Sequence, residues 1–215
     1  MRHPIRHTLL LLACVLAAGA QTLVDNDQVR VLKVIDRPHV KTQPHEHKIN
    51  RVMVYLNAGK QEFVSGGKTT PLQYKAGEVL WSPATATHVA ELVSAEPVGI
   101  VEVELKKPAE ARKTAKTALD PVAVDRQHYH VEFENPQVRV VRVHLGAHEK
   151  APLHEHVLNR VVIYLTDQNT RMTADGKTEV AQHKAGEVSF AGAAKHSEEN
   201  LMDTPFEAVV VELKN

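Results

Sequence analysis

The chain has 215 residues, enough for one or two domains, and its 26 basic and 26 acidic side chains cancel. That balance excludes the basic footprint of a nucleic-acid or anionic-membrane binder. Aromatic residues, at 4%, supply no platform for stacking bases or gripping sugars, whereas fourteen histidines are many for this length.

Residues 1–20 read as an export leader. Arg2 and Arg6 form a positive start, Thr8 to Ala18 an apolar core, and Ala18-Gly19-Ala20 a small-residue cleavage site before Gln21. The apolar run is short for a membrane span, and no other run rivals it. Leu11-Leu12-Ala13-Cys14 resembles a lipoprotein box only loosely, because apolar sequence continues past the cysteine. Cleavage after Ala20 removes Cys14, the one cysteine, so the mature chain has no thiol chemistry and any metal must rest on nitrogen and oxygen ligands. The expected location is periplasmic or extracellular, with no transmembrane segment in the mature chain.

Beyond the leader, strand signals dominate. Val29 to Val34 is rich in β-branched residues, and Val52 to Leu56 is apolar on both faces, as an inner strand would be. Val101-Glu102-Val103-Glu104-Leu105 alternates, which predicts one wet face. Turn signals at Asn57-Ala58-Gly59, Ser65-Gly66-Gly67 and Ala76-Gly77 separate the strands. Pro108 to Leu119 is Ala- and Lys-rich without an apolar stripe. It reads as a linker with at most a helical turn, ended by Asp120-Pro121.

The pattern then repeats. Gln28-Val29-Arg30-Val31 returns as Gln137-Val138-Arg139-Val140, His45-Glu46-His47 as His154-Glu155-His156, and Lys75-Ala76-Gly77-Glu78-Val79 as Lys184-Ala185-Gly186-Glu187-Val188, each 109 residues on. One deletion later the offset is 108, matching His88 to His196 and Val103-Glu104-Leu105 to Val211-Glu212-Leu213. A period this long is a duplicated domain, not a solenoid. The units expected are a leader over 1–20, a barrel over 21–107, a linker over 108–121 and a second barrel over 122–215. Val122 to Phe133 supplies the second unit with a leading strand whose counterpart falls within the leader. The first barrel is therefore expected to lack that strand or to borrow one from its partner.

A His-x-His on a strand aims two imidazoles into one space. His45 and His47, joined by His88, and His154 and His156, joined by His196, are candidate sites for a divalent transition metal, with Fe, Mn, Zn or Ni all open. Glu46 and Glu155, between the ligands, face the other way. His39 and His148 read as turn residues. Glu91 and Glu199, three positions past the third histidine, have the wrong parity, and His128, His130, His144 and His183 read as surface.

These motifs resemble the cupin superfamily over nearly the whole mature chain, twice. The resemblance rests on His45-x-His47 with Gly77, Pro83 and His88, and on His154-x-His156 with Gly186, His196 and Asn200. It implies an all-β bicupin of two tandem double-stranded β-helix, jelly-roll-like barrels, each with a mouth that can hold one metal. The glutamate that usually completes the family's metal shell falls at Arg51 and Arg160, so the four-ligand shell does not carry over whole. Histidine-only cupins include dioxygenases, often with Fe(II). An arginine at the mouth can clamp a carboxylate in bidentate fashion, which makes Arg51 and Arg160 candidate substrate-binding residues and a small organic acid the expected ligand. An inward arginine also competes with a cation for the same space. Three readings follow: a metal-dependent dioxygenase- or isomerase-type enzyme, a non-catalytic module that binds a small ligand or a metal, and a degenerate barrel pair kept for homo-oligomerisation.

Overall fold

The computed structural model describes residues 19–109 and 117–214. Nearly all of the leader, Cys14 included, and the middle of the linker lie outside the described residues. The first half runs β1 (Gln21–Asp25), β2 (Val29–Asp36), β3 (His45–His47), β4 (Arg51–Tyr55), β5 (Gly59–Ser65), β6 (Lys68–Tyr74), β7 (Val79–Ser82), β8 (Thr85–Leu92) and β9 (Val98–Leu105). After one short helix, α1 (Pro121–Val124), the second half repeats the plan as β10 (Tyr129–Glu134), β11 (Val138–Leu145), β12 (Lys150–His156), β13 (Arg160–Tyr164), β14 (Gln168–Ala174), β15 (Lys177–His183), β16 (Val188–Ala191), β17 (Ala194–Asn200) and β18 (Phe206–Leu213).

Each half is two sheets. The first orders its strands β1-β2-β9-β4-β7 and β3-β8-β5-β6, the second β10-β11-β18-β13-β16 and β12-β17-β14-β15, so the two plans superpose strand for strand. The expected tandem β-barrels are what the chain forms. The first barrel does have its leading strand: β1 pairs antiparallel with β2 as β10 does with β11. The duplicated strand simply starts at Gln21, directly after the leader-like sequence. What has no described counterpart is the stretch ahead of β10. There Asp120 does not stop a helix but starts α1, its side chain accepting from the Ala123 N–H with Pro121 at the first helical position.

The two halves share one core. Val29, Val31, Val52, Val54, Val101 and Val103 pack with Val138, Val140, Val161, Ile163, Val209 and Val211, all essentially inaccessible. The second six are the repeat partners of the first six. The contact is therefore isologous, as between copies in a two-fold dimer, and its polar ties come in pairs. Asn50 donates to Gln137 at 2.6 Å and Asn159 to Gln28 at 2.7 Å. Arg142 reaches the Gly77 carbonyl at 2.7 Å and Lys33 the Gly186 carbonyl at 3.0 Å. Gly77 and Gly186 hold φ of 75° and 79°, and a Cβ on either would press on Leu165 or on Lys33 from the other half.

This shared core corrects one expectation. Glu102 and Glu104 do not face bulk water. β9 is a central strand whose valines face the other barrel, so its opposite face, with both glutamates, turns into its own barrel. There they meet Arg51 and Arg30 at 2.8 and 2.5 Å. Among the described residues no helix is long and apolar enough to cross a membrane.

Candidate metal centres

The histidines gather because strand pairing places them. β3 pairs with β8 so that His45 sits opposite His88, and β12 pairs with β17 so that His154 sits opposite His196. Same-face alternation then adds His47 and His156. Ring centroids lie 4.5–5.4 Å apart in the first trio and 4.4–5.7 Å in the second. In each trio the three rings offer nitrogens within 4.8 Å of one another, a set that could hold a metal ion.

Backbone carbonyls set the tautomers. His45 Nδ1 lies 2.8 Å from Gln43 O, His88 Nδ1 3.1 Å from Ala86 O, and His154 Nδ1 2.9 Å from Pro152 O. A carbonyl only accepts, so each Nδ1 carries the proton and each Nε2 keeps its lone pair. His156 reaches the same state through Glu212, whose carboxylate accepts from Nδ1 at 2.8 Å. Carboxylate support behind a ligating imidazole orients the ring and raises its basicity. His196 Nδ1 is buried with no partner. These acceptors thus direct the Nε2 side of His154 and His156 toward His196. Burial holds His154 down to about 4, with Arg160 and His156 adding to it against the Pro152 carbonyl. Burial, then His154 and His156, hold His196 at about 3. These rings stay uncharged at neutral pH, the form that binds metal, and the second trio fits a divalent ion.

The first trio is arranged differently. Arg51 Nη1 lies 2.9 Å from His47 Nε2. A guanidinium only donates, so the lone pair an ion would need is already engaged. Burial, then Arg51, push His47 down to about 3. With Arg51 in this position, His47 does not offer its Nε2 as the third imidazole ligand. The first trio opens instead on a cavity of about 1150 Å³ whose wall includes Leu32, Met53, Phe63 and Ile100. Asp36, bonded by Gln61, also lines it, pushed up to about 6 by burial and by Glu102.

The second barrel carries two further groups that lie outside the histidine motifs. Tyr129 Oη donates to Glu198 at 2.5 Å and lies 3.3 Å from His154 Nε2. Burial pushes the Glu198 carboxyl up, and burial with Glu198 beside it raises the Tyr129 phenol. Glu198 was findable: it lies two residues past His196, on the same face of β17. Tyr129 carries no local signal. Their repeat partners are Ala90 and Ala20, and both line or adjoin the first cavity.

The remaining candidates sort clearly. His39 and His148 are turn residues with φ of 57° and 58°. Glu46 is exposed beside Lys48. His130 and His144 are exposed. His183 is half-buried at the surface, stacked on Tyr164 at 3.9 Å. His128 is not a surface residue: it is buried between Asp125 at 2.7 Å and Glu149 at 3.0 Å because the segment ahead of β10 folds onto its barrel. Asn200 is fully buried and donates to the carbonyls of Gly146 and Thr204, both at 2.9 Å, while accepting from Met202 N–H. It ties loops together rather than facing the histidines. Asn200→Ala is expected to cost about 1–3 kcal/mol in urea denaturation, because it strands buried carbonyls.

No protein-family model matches the chain, and no curated protein matches it in sequence. Solved structures do match. AerE from Microcystis aeruginosa is 10% identical with a TM-score of 0.63, over 91% of this chain and 97% of that one. A cupin 2 conserved barrel domain protein from Leptotrichia buccalis is 14% identical with a TM-score of 0.58, over 93% and 90%. An oxalate decarboxylase of Bacillus subtilis is 13% identical with a TM-score of 0.59, over 90% and 72%. At these identities the likeness is one of fold, and it agrees with the paired histidine strands and the doubled sheet order: the chain is a tandem pair of barrels with the cupin fold.

Proposed function

We propose that the protein is an exported bicupin that binds one divalent transition metal in its second barrel, through His154, His156 and His196, and acts there on a small organic acid. The observation that carries this is the protonation pattern. The Nδ1–H of His154 and of His156 is committed to an acceptor, which turns both Nε2 atoms toward His196. Oxalate decarboxylase of Bacillus subtilis, which shares the fold, has Mn(II) centres. Export rests on the leader-like sequence of residues 1–20.

An ion held from one side by three imidazoles supplies a Lewis acid with open positions. The other roles belong to the chain. Arg160, buried at the same mouth, supplies positive charge to orient a substrate carboxylate. Tyr129 lies against His154 and holds its hydroxyl proton toward Glu198. This geometry favours the dioxygenase- or isomerase-type reading over a non-catalytic module, because a hydrogen-bonded phenol and carboxyl, Tyr129 and Glu198, stand beside the trio.

Elemental analysis of protein purified without added metal is the test. About one equivalent per chain is expected, lost in His154→Ala and kept in His45→Ala. No bound metal in the wild type, or full retention in His154→Ala, would overturn the reading. Oxygen consumption or substrate loss across a panel of small organic acids then tests turnover, with Arg160→Ala expected to raise KM.

A further inference from the structure

The two barrels share their histidines but not the fate of their arginines. In the first, Arg51 lies on His47 because two acceptors hold it there: Glu102 takes Nη1 at 2.8 Å and Ser82 takes Nη2 at 2.9 Å. Ser82 stands opposite Arg51 across β4 and β7, and Glu102 lies on the neighbouring β9. In the second barrel the same two positions are Ala191 and Val210. Neither can accept, and Arg160 Nη1 goes instead to the main-chain carbonyl of Gly192.

A second exchange involves Asp120, whose repeat position lies outside the described residues. Glu104 is engaged by Arg30 at 2.5 Å. Its repeat partner Glu212 lies 3.5 Å from Arg139, the partner of Arg30, because Asp120 ahead of α1 draws that guanidinium away with two hydrogen bonds. Glu212 is left to support His156.

We infer that Glu102 and Ser82 decide which of the two histidine trios holds the ion: they keep Arg51 on the His47 lone pair and so make the first barrel metal-silent. This rests on the second barrel being the metal centre. A fixed guanidinium opposes an ion twice, by occupying the ligand nitrogen and by adding like charge within the shell. The first barrel is then free to hold an uncharged or weakly charged small molecule in its cavity of about 1150 Å³.

The test is a titration of metal-stripped full-length protein with Co(II), read by calorimetry and by the ligand-field absorption of the bound ion. Wild type is expected to bind one Co(II) per chain. Glu102→Val with Ser82→Ala is expected to bind two, and adding His47→Ala to that pair should return the count to one. Arg51→Met, which removes the guanidinium itself, should also give two. The ion in the second barrel reports that each variant is folded. Two ions in the wild type, or one ion in both folded variants, would overturn the inference while leaving the second-barrel reading intact. No ion in the wild type would overturn that reading, and this inference with it.

Discussion

Ile163→Ala is expected to cost about 2–5 kcal/mol and to shift the unfolding of the opposite barrel with it. Ile163 lies in the second barrel, fully buried, but its neighbours in the shared core include valines of the first. The truncation leaves a cavity between two sheets that are each held by their other faces, so neither can collapse to fill it. Trp81, the one tryptophan, sits in the first barrel and packs on this core, 6.5 Å from Phe133 of the second. Its fluorescence in a urea series should therefore follow the Ile163 substitution and report a single transition for both halves. A Trp81 midpoint unmoved by Ile163→Ala would mean that the barrels fold independently and that the isologous contact contributes little.

His128→Gln is expected to destabilise the protein by about 3 kcal/mol at pH 6 and by clearly less at pH 9. Burial opposes a charge on this ring, but hydrogen bonds to Asp125 and Glu149 outweigh it and hold its pKa above the ordinary histidine value of 6.5. A raised folded-state pKa stabilises the fold fully below the unfolded value and loses that contribution as pH climbs through the folded one. Between pH 6 and 9 the wild-type advantage should thus shrink, because a neutral imidazole donates to only one of its two carboxylates. The segment that His128 secures also carries Tyr129, so the loosened variant should expose the second trio as well. Faster exchange of the His154 and Tyr129 amides with solvent deuterium in His128→Gln would register that. Equal midpoints for wild type and variant at both pH values would refute the clamp.

Much of the architecture could be read before any coordinates. Two His-x-His pairs at an offset of 109 and two distal histidines at 108, with each pair at strand parity, are sufficient to bring the trios together, since antiparallel pairing needs only that β3 meet β8 and β12 meet β17. The valine-rich runs of β4 and β13 likewise announced strands buried on both faces. The same parity rule, applied two residues beyond His196, reaches Glu198. Glu199, one residue further on, has the opposite parity, and its side chain leaves the barrel to meet Lys150 and Arg171.

Local pattern failed where a residue's surroundings come from the other half of the chain or from a distant strand. Alternation in Val101 to Leu105 is correct as periodicity, yet periodicity cannot say whether the polar face meets water or the inside of a barrel. Only the pseudo-two-fold packing of the valine face decides that. His128 shows no pattern at all, because its partners are Asp125, one helical turn behind, and Glu149, a strand away.

By itself, then, the amino-acid sequence determined the duplication, the all-β class and the identity of the six imidazoles, because these depend on residue type and spacing along a chain of period two. Tertiary structure alone decided what each trio can do. Arg51 and Arg160 are identical in sequence and in strand position. The acceptors that capture one and miss the other stand on neighbouring strands, tens of residues away, so the difference between an engaged imidazole and an available one exists only once the sheets are assembled.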